Sequence, residues 1–203
     1  MIKINKLAII AALILFVPVH IAAAQQQGWG NRRFDFVPQE SRIVFGAAST
    51  LHSFHGRAND AEGFAEGEME HLGETATGVL KVAVKSMTTD HKARDAAMLE
   101  SLEAEKYPFI LFFVKHIAIS SLSENKLKAR TVLTGELNLH GIKKVIEMPA
   151  EVTWAYPKIY IKGRKELSLK DFSINPASFL FVKVKDKVVV EFDMVGKEKA
   201  FSQ

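Results

Sequence analysis

The chain has 203 residues, a net charge of +4 from 27 Lys and Arg against 23 Asp and Glu, and no cysteine. So small a positive excess argues against a nucleic-acid partner, which a strongly basic face would mark. The missing cysteines exclude disulfides and thiol chemistry. A chain of this length fits one domain and can bury roughly 70% of its unfolded surface without covalent staples.

Lys3 and Lys6 precede an unbroken apolar run from Leu7 to Val17, and Ala22-Ala23-Ala24 stand before Gln25. Small residues at the last and third-last positions suit signal peptidase, so residues 1–24 read as a signal peptide cleaved after Ala24. The run is shorter than the roughly 20 apolar residues that a membrane-spanning helix needs. No cysteine follows it, which excludes lipoprotein processing. The expectation is an exported domain of residues 25–203, carrying net charge +2 once the two lysines are lost, and located in the periplasm or secreted.

From Arg32 onward the pattern alternates with period two, the signature of half-buried strands. Strands are predicted over Arg32–Val37, Arg42–Ala48 and Phe64–Glu70. His52 and His55 are three apart, so on a strand they face opposite sides and share no metal ion. A hairpin with its turn near Gly56 is the favoured reading there. Leu80, Val82 and Val84 alternate with Lys81 and Lys85.

Thr88-Thr89-Asp90 then offers a cap, and Ala93, Ala96, Ala97, Met98, Leu99 and Leu102 recur at helical spacing. A short helix of one or two turns is predicted within His91 to Ala104, with Asp90 and Arg94 paired four apart. Phe109 to Val114 is apolar on both faces, as a helix packed outside it would require. Leu127, Ala129, Thr131, Leu133, Gly135, Leu137 and Leu139 form one face of the longest alternation. Lys126, Lys128 and Arg130 give the other face a basic stripe, ordinary for a solvated or edge strand and suited to anionic lipid. Ile146, Met148, Ala150, Val152 and Trp154 form another row, followed by a strand over Lys158–Leu169 and by Val188, Val190, Phe192 and Met194. Trp154 and Tyr156, beside Pro157, read as half-buried aromatics at a strand end, a place that also suits a membrane interface.

About eight to ten strands with one wet face must stack or close, and closure removes unpaired edges. An all-β antiparallel barrel of about eight strands is expected, its interior either packed or open for one ligand. The inward rows are Leu, Val, Ile, Phe and Ala, which favour hydrocarbon and hold no charge for a polar solute.

Four stretches carry a resemblance. Ser86 to Leu99, with its Arg94-Asp95 pair, continues into Tyr107-Pro108-Phe109-Ile110-Leu111-Phe112. Phe34-Asp35-Phe36 stands before Ser41-Arg42-Ile43-Val44-Phe45. Gly135-Glu136-Leu137-Asn138-Leu139-His140-Gly141-Ile142-Lys143-Lys144-Val145 forms the third, and Leu169-Lys170-Asp171-Phe172-Ser173-Ile174 the fourth. In order and spacing these resemble the YceI-like lipid/polyisoprenoid-binding family. Ser173 stands where that family usually has Gly. The resemblance implies an extended lipocalin-like barrel with a short helical insertion, holding an isoprenoid or similar lipid chain.

The expected partner is therefore an isoprenoid or fatty lipid held without chemical turnover, with transient membrane contact and no cofactor. Leu80, Val82, Val84, Ile110, Phe112, Leu133, Leu137, Val190 and Phe192 are the expected lining. Arg94 would meet an anionic head group if its helix lies near a barrel mouth. No catalytic or metal-ligating set is expected, because no nucleophile stands at recognisable spacing from a base. Two rival readings are a filled barrel serving as an interaction or stress-response module, and a haem- or metal-associated redox accessory using His52, His55 or His91.

Overall fold

The computed structural model describes residues 31–49, 52–68, 71–176, 178–179 and 182–199. The expected signal peptide lies outside them. Twelve strands are present: β1 (Arg32–Phe36), β2 (Arg42–Ser49), β3 (Ser53–Ala58), β4 (Ala61–Gly67), β5 (Thr77–Ala83), β6 (Met87–Thr88), β7 (Phe109–Leu122), β8 (Lys128–Leu139), β9 (Ile142–Ala155), β10 (Lys158–Ser168), β11 (Ser178–Phe179) and β12 (Val182–Glu198). Two helices join them, α1 (Leu72–Thr75) and α2 (Lys92–Ser101).

The strands reduce to eight antiparallel staves in simple up-and-down order. β1 and β2 run in succession along β12, with Phe34 opposite Glu198 and Phe45 opposite Val190. β4 and β3 continue along β1 and β2 in turn, and β5 and β6 along β4 and β3. Each of these three staves is thus one long strand broken once. The breaks lie side by side: Ser41 N–H donates to Val37 O at 3.0 Å, Asn59 N–H to Ser86 O at 3.2 Å, and Ala83 N–H to Asp60 O at 3.0 Å. β7, β8, β9, β10 and β12 complete the circle, and β12 closes it on β1. The all-β lipocalin-like barrel is as expected.

Alternation translates into burial most cleanly in β8, where Ala129, Thr131, Leu133, Leu137 and Leu139 are all buried. The β8–β9 connection is the two-residue turn His140-Gly141, with φ of 55° and 76°. Positive φ at both positions is the type I′ geometry whose twist matches a hairpin. The His140 ring nitrogens lie 3.1 Å from Phe172 O and 3.0 Å from Glu103 Oε1, tying this turn to the closing loop and to the exit of α2.

Several expectations are corrected. Val84 does not continue the β5 row: it opens a 3-10 turn, Val84–Ser86, where its N–H donates to Pro108 O at 2.9 Å. Gly56 makes no turn. It sits inside β3 opposite Phe45, whose ring occupies the space a side chain would fill, a Cβ there falling 2.2 Å from Phe45 Cζ. Asp90 does not pair with Arg94. At φ 59° it precedes the helix, and its carboxylate accepts from both terminal nitrogens of Arg57.

α2 is ten residues long, nearly three turns, and it lies over one end of the barrel. It does not cover the outer face of β7. There Phe109 stands exposed, with the Lys81 ammonium 4.2 Å from its ring centre.

Ser173 ends a 3-10 turn over Lys170–Phe172 in the left-handed region, at φ 53° and ψ 28°. Its N–H donates to Lys170 O at 3.0 Å while Phe172 is fully buried. A Cβ at positive φ crowds the backbone, so Gly would hold this conformation with less strain than Ser. Ser173→Gly should raise stability by about 0.5–1 kcal/mol, read as a higher urea midpoint at unchanged slope. A lowered midpoint would contradict the strain assigned to this residue.

Candidate ligand cavity

The barrel encloses a cavity of about 670 Å³. Its middle is walled by inward rows of the staves, among them Ile43, Val82, Phe112, Leu133, Met148, Ile161 and Met194. Thr131 is a polar exception, and its hydroxyl donates to Ala150 O at 3.1 Å, so it offers the lumen little polarity.

Three phenylalanines show why the bore stays open. Phe45 lies over Gly56, Phe192 over Gly163 and Phe112 over Gly135, each ring within 3 Å of where the glycine would carry a Cβ. Phe192 and Gly163 are cross-strand partners, as are Phe45 and Gly56. A large ring folded onto a glycine lines the wall with aromatic surface instead of projecting across the axis.

Nine of the ten residues expected at the site face the cavity: Leu80, Val82, Ile110, Phe112, Leu133, Leu137, Val190, Phe192 and Arg94. Val84, the tenth, does not reach it, because the 3-10 turn rotates it into the core between the β5–β6 break and Pro108. Ala97 and Met98 of α2, and Leu102 just after it, also form wall. Their helical stripe is visible in the sequence, but that stripe cannot say whether a helix packs outside a barrel or across its end. Phe54 and Met87 join the wall from short strands whose alternation is too brief to read.

His52 faces the cavity, whereas the His55 ring packs on Gly46, whose Cβ position lies 3.0 Å from Nδ1. The two histidines thus diverge, and no cluster of three or more metal-type ligands occurs among the described residues. His91 caps α2, its Nδ1 accepting from Arg94 N–H at 3.3 Å.

The Arg94-Asp95 pair acts through Thr89. Arg94 donates from Nε to Thr89 Oγ1 at 2.8 Å and from Nη2 to Thr89 O at 2.9 Å, and its guanidinium stacks 4.8 Å from the Phe54 ring centre. Asp95 accepts from Thr88 Oγ1 and from Thr89 N–H, both at 2.7 Å, and from the Thr89 hydroxyl. Burial pushes the Asp95 carboxyl upward, but the bonds from Thr89 and Thr88 outweigh it and hold the group below its ordinary 3.8. A carboxylate with a depressed folded-state pKa stabilises the fold above the unfolded value and loses that contribution as pH falls through the folded one. Asp95→Asn should therefore lower stability at neutral pH and flatten the loss of stability below about pH 4. Equal acid sensitivity in wild type and variant, followed by urea melts from pH 2 to 7, would contradict this.

A YceI-like domain model matches residues 34–196. No curated protein matches the chain by sequence. Among solved structures, Burkholderia cenocepacia BcnA is 14% identical with a TM-score of 0.66, covering 79% of this chain and 98% of its own. A polyisoprenoid binding domain from Saccharophagus degradans, implicated in plant cell wall breakdown, is 14% identical with a TM-score of 0.64, covering 82% and 98%. A Campylobacter jejuni YCEI protein is 18% identical with a TM-score of 0.58, covering 71% and 85%. At these identities the structures share the fold, and the domain match adds the lineage. From the paired Arg94-Asp95 to the left-handed Ser173, the motifs fall inside the matched span, and the chain belongs to the YceI-like family.

Proposed function

We propose that the protein is an exported carrier that holds a polyisoprenoid or similar long lipid chain in the barrel lumen without altering it chemically. The observation that carries this reading is the open apolar bore of about 670 Å³. Small-molecule sites commonly span roughly 300–1,000 Å³, so the volume suits an organic ligand. Each methylene withdrawn from water into such a lining contributes about 0.8 kcal/mol before ordering costs. The description of the Saccharophagus relative as polyisoprenoid-binding supports the same class of ligand.

The rivals fare less well. A filled barrel would bring large inward side chains together on the axis, whereas here three aromatic rings lie against glycines. A redox accessory would need converging ligands, and His52 and His55 diverge. Leu80, Val82, Ile110, Phe112, Leu133, Leu137, Val190 and Phe192 serve as chain contacts in this reading. Arg94, two of its nitrogens engaged by Thr89, positions α2 at the end of the bore. Export after Ala24 would place the carrier in the periplasm or outside the cell.

Binding of a polyprenol and of a long-chain fatty acid to the purified exported protein, followed by native mass spectrometry, tests the proposal. Wild type should retain one lipid chain. Ala47→Phe, which adds a ring to the cavity wall, should weaken retention about tenfold or more by displacing chain methylenes. A wild-type protein that carries no lipid and takes up neither probe would overturn the reading.

A further inference from the structure

The two ends of the barrel differ. One is spanned by α2. At the other, β5 stops pairing with β7 at Gly78 opposite Val114, yet β7 runs on to Leu122 with β8 alongside. The β7–β8 hairpin therefore runs on past the end of β5, with α1 packed beside β7 near Ile117 and the β9–β10 turn beside its tip, and its inner face continues the apolar rows of the barrel wall. Ile119 lies opposite the inward Thr131, and Leu122 opposite the inward Ala129. Directly opposed residues of an antiparallel pair share a face.

Inside the barrel such positions are covered. On the hairpin tip they are not: Ile119 is 41% exposed, Leu122 47% and Leu127 42%. Tyr156, on the neighbouring β9–β10 turn, is 68% exposed. Trp154 N–H donates to Leu127 O at 2.8 Å, holding that turn against the tip. These four are most of the large exposed hydrophobics among the described residues. The other two, Phe109 and Val145, stand on the outer wall. Leu127 and Tyr156 also line the cavity, so the patch is continuous with its mouth.

The charge beside the patch is mainly positive. The tip carries Lys126, Lys128 and Arg130 against one acid, Glu124, and Lys128 pairs across to Glu151 at 2.9 Å. Lys126 and Arg130 are exposed and bond to no carboxylate among the described residues.

We infer that this end of the barrel docks onto the surface of a lipid bilayer, with Ile119, Leu122, Leu127 and Tyr156 entering the headgroup region and Lys126 and Arg130 meeting anionic lipid. The inference rests on the carrier reading and deepens it. A chain that gains about 0.8 kcal/mol per buried methylene has almost no free concentration in water, so it must pass directly between bilayer and bore. Apolar and aromatic side chains flanked by Lys and Arg are the composition that binds an interface. In this arrangement the polar end of the ligand stays at the docking mouth and its chain reaches toward α2.

The absence of native cysteine allows single probes. Glu124→Cys on the tip and Glu100→Cys on α2 are each labelled with an environment-sensitive fluorophore. Both are mixed with vesicles of phosphatidylcholine alone or with phosphatidylglycerol. The tip probe should shift to the blue, more strongly with phosphatidylglycerol, while the α2 probe stays unchanged. Ile119→Glu with Leu122→Glu should lower vesicle partitioning about tenfold or more yet leave polyprenol uptake from detergent unchanged. A shift at the α2 probe, or at neither site in protein that still binds polyprenol, would overturn the docking and leave the carrier reading standing. A concentration-dependent shift at the tip without vesicles would also overturn it, marking the patch as an interface with a second copy of the chain.

Discussion

Backbone N–H and C=O groups along a sheet edge must be paired or wetted, and a long unpaired edge invites association with other chains. β12 settles this. It runs from Val182 to Glu198, pairs with β10 on one side, and takes β2 and then β1 on the other. Closure through it commits every stave to one inside and one outside. Because side chains alternate strictly, a slip of one residue would turn the apolar rows to solvent. Register, inner lining and enclosed volume all follow from that pairing.

Closure alone would permit a plugged barrel. What keeps the bore open is the distribution of bulk around the wall. Phe45, Phe112 and Phe192 have glycine beneath their rings, and Ala47 and Ala129 hold further inward positions with little volume. The end walls add bulk of their own. At one end stand Met98 of α2 and Leu102 just after it, on a helix held by the Thr88, Thr89, Arg94 and Asp95 network. At the other Trp154 and Tyr156 stand beside the β7–β8 hairpin. The two ends thereby acquire different chemistry, a hydrogen-bonded helix against an exposed apolar rim.

The sequence made the long staves legible because their alternation outlasts chance. In β8 the row from Ala129 to Leu139 is the buried row, and in β12 Val188, Val190, Phe192 and Met194 face the cavity. It was less informative where the backbone leaves the strand for only a few residues. The two-residue rule carried Leu80 and Val82 correctly inward but failed at Val84, where a single 3-10 turn resets the phase. Gly56 looked like a turn because a glycine required by a neighbouring ring is indistinguishable, in one dimension, from a glycine required by a tight bend. Asp90 seemed paired with Arg94 by helical spacing, but its positive φ sets it outside the helix, within reach of Arg57 on β3. The apolar tip of the β7–β8 hairpin was hidden for a related reason: alternation shows which face a residue occupies and not where its neighbouring stave ends.

Lipid carriage depends on a bore that is empty of protein and long enough for a chain. A crystal structure of the protein, purified without delipidation, examines this most directly. The result expected is one continuous chain of density along the barrel axis, from Met98 and Leu102 at the α2 end toward Trp154 and Tyr156, with Phe45, Phe112 and Phe192 still folded onto their glycines. Side chains meeting across the axis, with those three rings swung inward and no room for a chain, would contradict it.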